Sequence, residues 1–391
     1  MTSPRSLERL KLLETLVRLH SGSRNPAGVE KVQLILAEKL SALGFQIQWE
    51  KNSNPQVPSA RFLIAIFPGE SEETIDLVSH ADTVEEGQAE ASAFRFDSSL
   101  NRAVGRGALD DKGAQVMALE ALELWVKSLN GKKPKRTLRF LSSPLEELGS
   151  PGFGPLLEKL GQQAKLVLGL EPALENGNVI ESRRGNRWYF IEVEGRTGHS
   201  GRDFLRGVNA AHDLVSRLSK IQALSDPARE LSVSVGSLRT ESDAYNVIPE
   251  RASAKVDTRF ASFTERDLLH SQIEVELKAQ GQASPTDGLR PKAQYRIDDD
   301  CPPFPSNPKV QPLIDAYAKI VAGLEGHAPK SERGGGAADC CYMSRPGLWI
   351  IDGLGPRGGR MHAEDEWVDL GSLETRAEAL HQFLIGPVET L

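Results

Sequence analysis

Ile75-Asp76-Leu77-Val78-Ser79-His80-Ala81-Asp82 reads as a short apolar strand that runs out into a histidine and an aspartate. Residues two apart on a strand face the same side. His80 and Asp82 are therefore expected to point together beyond the strand's carboxyl end, where open α/β sheets build their sites. Alone, the pattern also fits a surface histidine beside a turn aspartate. The rest of the chain has to decide.

Outward from this strand, helices and strands alternate. Leu7, Leu10, Leu13 and Val17 recur at helical spacing. Asn25-Pro26 supplies an N-cap and a first-turn proline, and Gly44 a C-terminal stop, for a helix through residue 40. Apolar runs at 62–67, 137–141 and 166–170 read as buried strands, and 112–129 as a helix closed by Asn130-Gly131. This alternation predicts an α/β sandwich with a largely parallel sheet. The middle differs: strand 188–193, helix 208–221, strands 231–238 and 252–259, helix 265–279 and strand 293–297. That order is the ferredoxin-like α+β pattern, and ~110 residues suit one small domain. An acidic, proline-rich linker follows at 298–308. Helix 310–321 and strand 348–351 then resume the first pattern. The last ~90 residues read as the remainder of the first domain, because they resume its alternation of helix and strand. The expected organisation is a first domain over 1–185 and 299–391, interrupted by an insertion over 186–298.

The 391 residues carry 54 acidic against 47 basic side chains, a net charge of −7, which argues against a nucleic-acid partner. No run approaches the ~18 apolar residues of a membrane span. Charges interrupt the first twenty residues where a signal peptide would need an apolar stretch, so a cytoplasmic location is expected. Cys301, Cys340 and Cys341 form neither a disulfide framework nor a Cys-x-x-Cys metal motif. Any metal must be held by His, Asp and Glu. The adjacent pair Cys340-Cys341 is expected to be buried on a helix. His20, His212, His270, His327 and His381 read as surface or packing residues.

Further acids stand at predicted strand ends. Gly105-Arg106-Gly107-Ala108-Leu109-Asp110-Asp111-Lys112-Gly113 is a glycine-rich turn delivering two acids to a helix start, where an N-cap or a metal ligand fits equally. Glu146-Glu147 follows strand 137–141; two adjacent carboxylates repel unless a cation or proton relieves them. Glu171 follows strand 166–170, and His362 lies in Gly358-Gly359-Arg360-Met361-His362-Ala363-Glu364-Asp365-Glu366. Five segments thus bring two histidines and several carboxylates to one predicted sheet edge, a set suited to a pair of zinc-like ions. The third glycine of a dinucleotide fingerprint, a phosphate-binding P-loop and a Gly-x-Ser-x-Gly elbow are all missing from the sequence.

Ser79–Val84 as Ser-His-Ala-Asp-Thr-Val, the Gly105 to Gly113 run, Glu146-Glu147, Leu170-Glu171-Pro172 and the Gly359 to Glu366 run resemble, in order, the motifs of the M20 metallopeptidases. That family includes glutamate carboxypeptidase, succinyl-diaminopimelate desuccinylase, acetylornithine deacetylase and aminoacylase. The resemblance implies a zinc-exopeptidase-type α/β catalytic domain with an inserted ferredoxin-like lid that carries a homodimer interface. It implies two zinc ions per subunit, with cobalt or manganese as substitutes. Asp110 would bridge them, His80 and Glu171 would complete one site, and Glu147 and His362 the other. Asp82 would hold the His80 tautomer and Glu146 would be the general base. In the lid, Gly195-Arg196-Thr197-Gly198-His199-Ser200-Gly201 resembles the segment whose histidine reaches the partner's site, so His199 would steady the oxyanion. Asn246 and Arg259 would hold a substrate carboxylate. Gly335, in Gly334-Gly335-Gly336, would line the substrate pocket. The family's Thr or Ser before the following Asp is replaced by Ala337-Ala338 before Asp339. The implied substrate is a small peptide or N-acyl amino acid. The run Gly353-Leu354-Gly355-Pro356 favours a carboxypeptidase of the glutamate carboxypeptidase branch, an N-acyl amino acid deacylase is the alternative, and a metal-binding protein without catalysis is a more distant one.

Overall fold

A computed structural model describes residues 4–84 and 93–391. The chain divides into two compact units, Met1–Arg183 with Ser306–Leu391, and Arg184–Pro305.

The first unit is built on a six-stranded sheet in the order Gln46–Glu50, Phe62–Phe67, Arg136–Ser143, Ser71–His80, Ala164–Gly169, Trp349–Ile351. The last four strands are mutually parallel. The first two join antiparallel. The sheet is thus mixed rather than largely parallel. Its extra edge strand, Gln46–Glu50, alternates exposed and half-buried residues, so no apolar run marked it in the sequence. The central strands are buried almost continuously, as expected where helices cover both faces of a sheet. Leu13, Leu36, Leu77, Met117, Phe140, Leu166, Leu373 and Phe383 join one apolar core from the helices and the sheet. Burial of this kind is worth about 25 cal/mol per Å² of apolar surface removed from water. Asn25 caps the helix Pro26–Ala42 by accepting from Gly28 N, and Asn130, left-handed at φ 50°, closes the helix Lys112–Leu129. Cys340 and Cys341 lie buried in the short helix Asp339–Tyr342.

A second, small antiparallel sheet runs Gly358–Gly359, Trp367–Asp369, Arg102–Val104, Arg95–Asp97. Trp367 pairs with Val104. The loop leaving Val104 and the loop entering Trp367 therefore depart from the same end of one strand pair. This juxtaposes segments more than 250 positions apart in sequence.

The second unit is an antiparallel sheet in the order Ser232–Thr240, Arg251–Phe260, Gly185–Glu194, Lys292–Cys301, with helices Ala210–Gln222 and Phe263–Lys278 packed on it. Chain order is strand, helix, strand, strand, helix, strand. Buried residues alternate along Arg251–Phe260 and meet Leu214, Ile221 and Ile273 in a core of their own. The unit ends at Pro305 rather than at 298, because its last strand keeps pairing with Gly185–Glu194 as far as Cys301 opposite Asn186.

Candidate active site

The parallel strands of the first unit bring their carboxyl ends to one edge. His80 stands opposite Ser143 and Val78 opposite Gly169. The chain leaving this edge carries Asp82, Glu146, Glu147 and Glu171. His80, the last residue of its strand, is buried. Its Nδ1 lies 3.0 Å from the main-chain oxygen of Asp82 and 3.4 Å from that residue's carboxylate. A ring proton on Nδ1 donated to the carbonyl leaves Nε2 as the ligating nitrogen. The fully buried Asp82 carboxylate serves the neighbouring turn. Oδ1 accepts from Glu146 N at 3.0 Å, and Oδ2 from Glu147 N at 3.2 Å and Ser23 Oγ at 2.7 Å. Val84 N donates to the Glu147 carboxylate at 3.1 Å.

Asp110 and Asp111 end the glycine-rich loop ahead of the helix Lys112–Leu129, joined by a cis peptide bond. Gly107 is left-handed at φ 74°, and a Cβ there would sit 2.6 Å from Thr83 Cγ2, so only glycine suits this turn. Asp111 turns to the strand end, accepting from Ser79 Oγ at 2.6 Å and His80 N at 3.2 Å. Asp110 faces the site. Its Oδ1 is 3.0 Å from His80 Nε2 and its Oδ2 is 3.2 Å from His362 Nε2. Glu171 lies 3.9 Å from His80 Nε2 and Glu147 lies 3.4 Å from His362 Nε2. Two sets of possible ligands result, His80, Asp110 and Glu171, and Asp110, Glu147 and His362, with the ligand atoms of each set within 4.8 Å of one another. His362, at φ 67°, is half exposed, whereas His80 is closed off from solvent.

Electrostatics match a cation site. Burial pushes the carboxyls of Glu146 and Glu171 well above their ordinary range, and the charges of Glu171 on the first and Asp110 on the second add to it. Burial with the charge of Asp110 pushes Glu147 up to about 7. Burial favours the neutral form of Asp110 too, but hydrogen bonds from His362 and His80 outweigh it and hold that carboxyl below the usual range. Burial disfavours the charged His80 ring, yet Asp110 and Asp82 raise its proton affinity well above normal. At His362 the bond to Asp110 leads, and the ring is raised as well. The pocket therefore collects negative charge and draws positive charge to it. Oxygen and imidazole donors without thiolate suit zinc, cobalt or manganese.

The Glu146–Leu148 turn is held from a second side. Gly149 accepts from Tyr342 Oη at 2.6 Å. Ser150 Oγ donates to Asp339 Oδ1 at 2.5 Å and lies 3.0 Å from Ser143 Oγ, all three residues being buried. Burial pushes the Asp339 carboxyl up to about 6. Asp339 follows the Gly334–Gly336 loop, whose Gly335 is exposed, with nothing within 4 Å of where a Cβ would stand. Arg183 ties that loop down, donating to Gly336 O at 3.0 Å and to the fully buried Asp352 at 2.5 Å.

In the second unit, His199 lies on a two-residue strand paired with Val247–Ile248. Its Nδ1 accepts from Gly201 N at 3.1 Å and Arg202 N at 3.3 Å. The ring proton therefore sits on Nε2, making that nitrogen a donor. The Asn246 amide lies 3.5 Å from it. Arg259 donates from Nε to Asp257 at 2.9 Å, and Trp188 donates to the other oxygen of Asp257 at 2.8 Å. That bond engages Nε alone and leaves the two terminal nitrogens of the fork for a planar anion.

Three positions escaped the sequence reading. Glu366 lies in the run that contains His362, Ser150 follows the Glu-Glu pair, and Arg183 grips Asp352. The available signal for Glu366 was an acid directly preceding the apolar pair Trp367-Val368. Nothing local marked the other two.

Residues 77–385 match the sequence profile of Peptidase family M20/M25/M40. The chain is 27% identical to carboxypeptidase G2 of Pseudomonas sp. (strain RS-16) over 376 residues, covering 94% of this chain and 86% of that protein. It is 26% identical to succinyl-diaminopimelate desuccinylase of Gluconobacter oxydans (strain 621H) over 372 residues, covering 90% and 91%. Its fold superimposes on a tripeptidase from Staphylococcus aureus with a TM-score of 0.76 at 19% identity, covering 99% of both chains.

Proposed function

The chain belongs to Peptidase family M20/M25/M40 and is a metal-dependent hydrolase of peptide or amide bonds, and from that premise we propose that it is a di-zinc carboxypeptidase of small substrates with a free α-carboxylate. The observation that carries this reading is the double engagement of Asp110, one carboxylate oxygen toward His80 and the other toward His362. One ion would be held by His80, Asp110 and Glu171, the other by Asp110, Glu147 and His362. Cobalt or manganese would substitute. When bound, such a pair of ions acidifies water and polarises a carbonyl.

The chain's own groups supply the rest. Glu146 is half-buried beside the ligands, outside both sets, and its raised proton affinity suits a base that takes a proton from water and returns it to the leaving nitrogen. His199, with its proton on Nε2, would donate to the oxyanion, in the family's manner to the partner of a homodimer formed through the second unit. Arg259 would grip the substrate carboxylate through its free fork, Asn246 would assist, and the exposed Gly335 would line the pocket.

A second reading, an N-acyl amino acid deacylase, is favoured by the likeness to the desuccinylase over nearly the same length. The test is a panel of C-terminal glutamyl dipeptides and N-acetyl and N-succinyl amino acids, assayed with zinc-replete protein of measured metal content. Preferred release of C-terminal amino acids from dipeptides supports the carboxypeptidase. Preferred turnover of acylated amino acids replaces it with the deacylase. Hydrolysis unaffected by Glu146→Gln removes Glu146 as the base, and zinc content below one per chain without zinc-restored activity ends the di-metal reading.

A further inference from the structure

Glu366 is 1% exposed and carries no salt bridge among the described residues. Its Oε1 accepts two consecutive backbone N–H groups, Leu109 at 2.8 Å and Asp110 at 3.0 Å. Its main-chain oxygen accepts from Gly105 N at 2.8 Å, at the other end of the same loop. Its own N–H donates to Ala363 O at 3.2 Å, closing a turn that directly follows the one, closed by Ala363 N to Arg360 O at 3.1 Å, in which Arg360 and His362 take left-handed φ values of 63° and 67°. One residue therefore bolts the loop that presents Asp110 to the loop that presents His362. Both loops leave the same end of the Arg102–Val104 and Trp367–Asp369 strand pair. A buried carboxylate is costly unless hydrogen-bonded. Here its partners are the amides that fix where the Asp110 side chain starts.

We propose that Glu366 is a positioning residue for the metal pair, setting the shared ligand Asp110 against His362 through its bonds to the Leu109 and Asp110 amides. The inference rests on the di-metal reading above. Of the two ligand sets, only Asp110, Glu147 and His362 draws on both loops that Glu366 joins. Its loss therefore weakens that ion more than the one held by His80, Asp110 and Glu171. Groups that orient ligands typically contribute 10–100-fold to metal affinity.

The experiment is calorimetric titration of zinc chloride into chelator-stripped full-length protein, beside the thermal melt of the stripped protein. Wild type is expected to bind two ions in two steps. Glu366→Ala is expected to keep the tighter step within about threefold and weaken the other by about 10–100-fold. Glu366→Gln, whose Oε1 accepts the same two N–H groups, is expected to keep both steps within about threefold of wild type. If the alanine variant does not fold, Glu366→Asp, which withdraws the carboxylate by one methylene, should show the same selective loss. Two unchanged steps in the alanine or aspartate variant overturn the inference. So does equal weakening of both steps with a lowered melt, which marks a merely structural part. A glutamine variant as weak as alanine also overturns it, because charge rather than amide anchoring would be at work. A wild type that binds fewer than two ions overturns the di-metal reading and this inference together.

Discussion

Asp82→Asn tests how the turn bearing Glu146 and Glu147 is held. Each carboxylate oxygen serves a different donor set. Oδ1 takes Glu146 N and faces the His80 ring, and Oδ2 takes Glu147 N and Ser23 Oγ. An asparagine has one acceptor where two are needed. Turned with its NH2 toward Glu146, it sets a donor against both an amide and the His80 N–H. Turned the other way, it faces Glu147 N–H, while the Ser23 hydroxyl can rotate to accept. The second arrangement costs less and leaves one buried amide unsatisfied, about 1–3 kcal/mol. His80 keeps its orientation, because its 3.0 Å contact is to the main-chain oxygen of Asp82, which the substitution leaves in place. The penalty therefore falls on the turn. If about 2 kcal/mol of it reappears in the transition state, kcat/KM falls about 30-fold. The assay is kcat/KM on the best amide substrate, with zinc content measured on the same sample. Expected are this drop and a zinc loss confined to the ion that uses Glu147. A variant within twofold of wild type in kcat/KM, with both ions retained, refutes the argument that this carboxylate holds the turn.

Arg139→Met leaves Asp76 buried without the guanidinium that donates to its two oxygens at 2.7 and 2.6 Å, and urea unfolding should show a loss of about 3–5 kcal/mol; a loss under about 1 kcal/mol contradicts it. Burial raises the carboxyls of Glu147 and Glu366 to about 7 from an ordinary 4.5, so the folded metal-free protein binds more protons than the unfolded chain between those values. Its stability accordingly falls as pH rises through that window, and bound cations, which favour the ionised carboxylates, offset the fall. The gap in melting temperature between zinc-loaded and chelator-stripped protein should widen from about pH 5 to about pH 7.5, and a constant gap would count against the acid cluster as the metal site. Arg259→Lys, which gives up the planar fork, should raise KM about tenfold with little change in kcat, whereas His199→Ala should lower kcat about 100-fold with little change in KM; the reverse pattern would exchange their proposed roles.

Much of the site was legible because its residues sit in short local patterns. His80 and Asp82 are two apart at a strand end, Asp110 precedes a helix, Glu147 and Glu171 follow apolar runs, and each pattern stands out against its immediate neighbours. Glu366 offered only the weak contrast of an acid before the apolar pair Trp367-Val368, as one acid among three in a polar run. Its meaning lies in two amides more than 250 positions away. The sequence places the Asp82 carboxylate beside His80, where it stands 3.4 Å from Nδ1, but not its second task of accepting from the Glu146 and Glu147 amides, which arises because the turn after Ser143 folds back over the end of the neighbouring strand.

By itself, the sequence determined the strands and helices with strong periodicity, from Phe62–Phe67 to Lys112–Leu129, and the order of elements in the second unit. Those depend on local propensity and on burial of one face, which a short window of residues expresses. The tertiary structure alone decided the antiparallel edge of the large sheet, the extension of the second unit to Pro305 and the anchoring of the Asp110 loop by Glu366. These depend on which strands pair and which loops leave the same end of a sheet. Such pairings join residues far apart in the chain, and their energy appears only once both partners are in place.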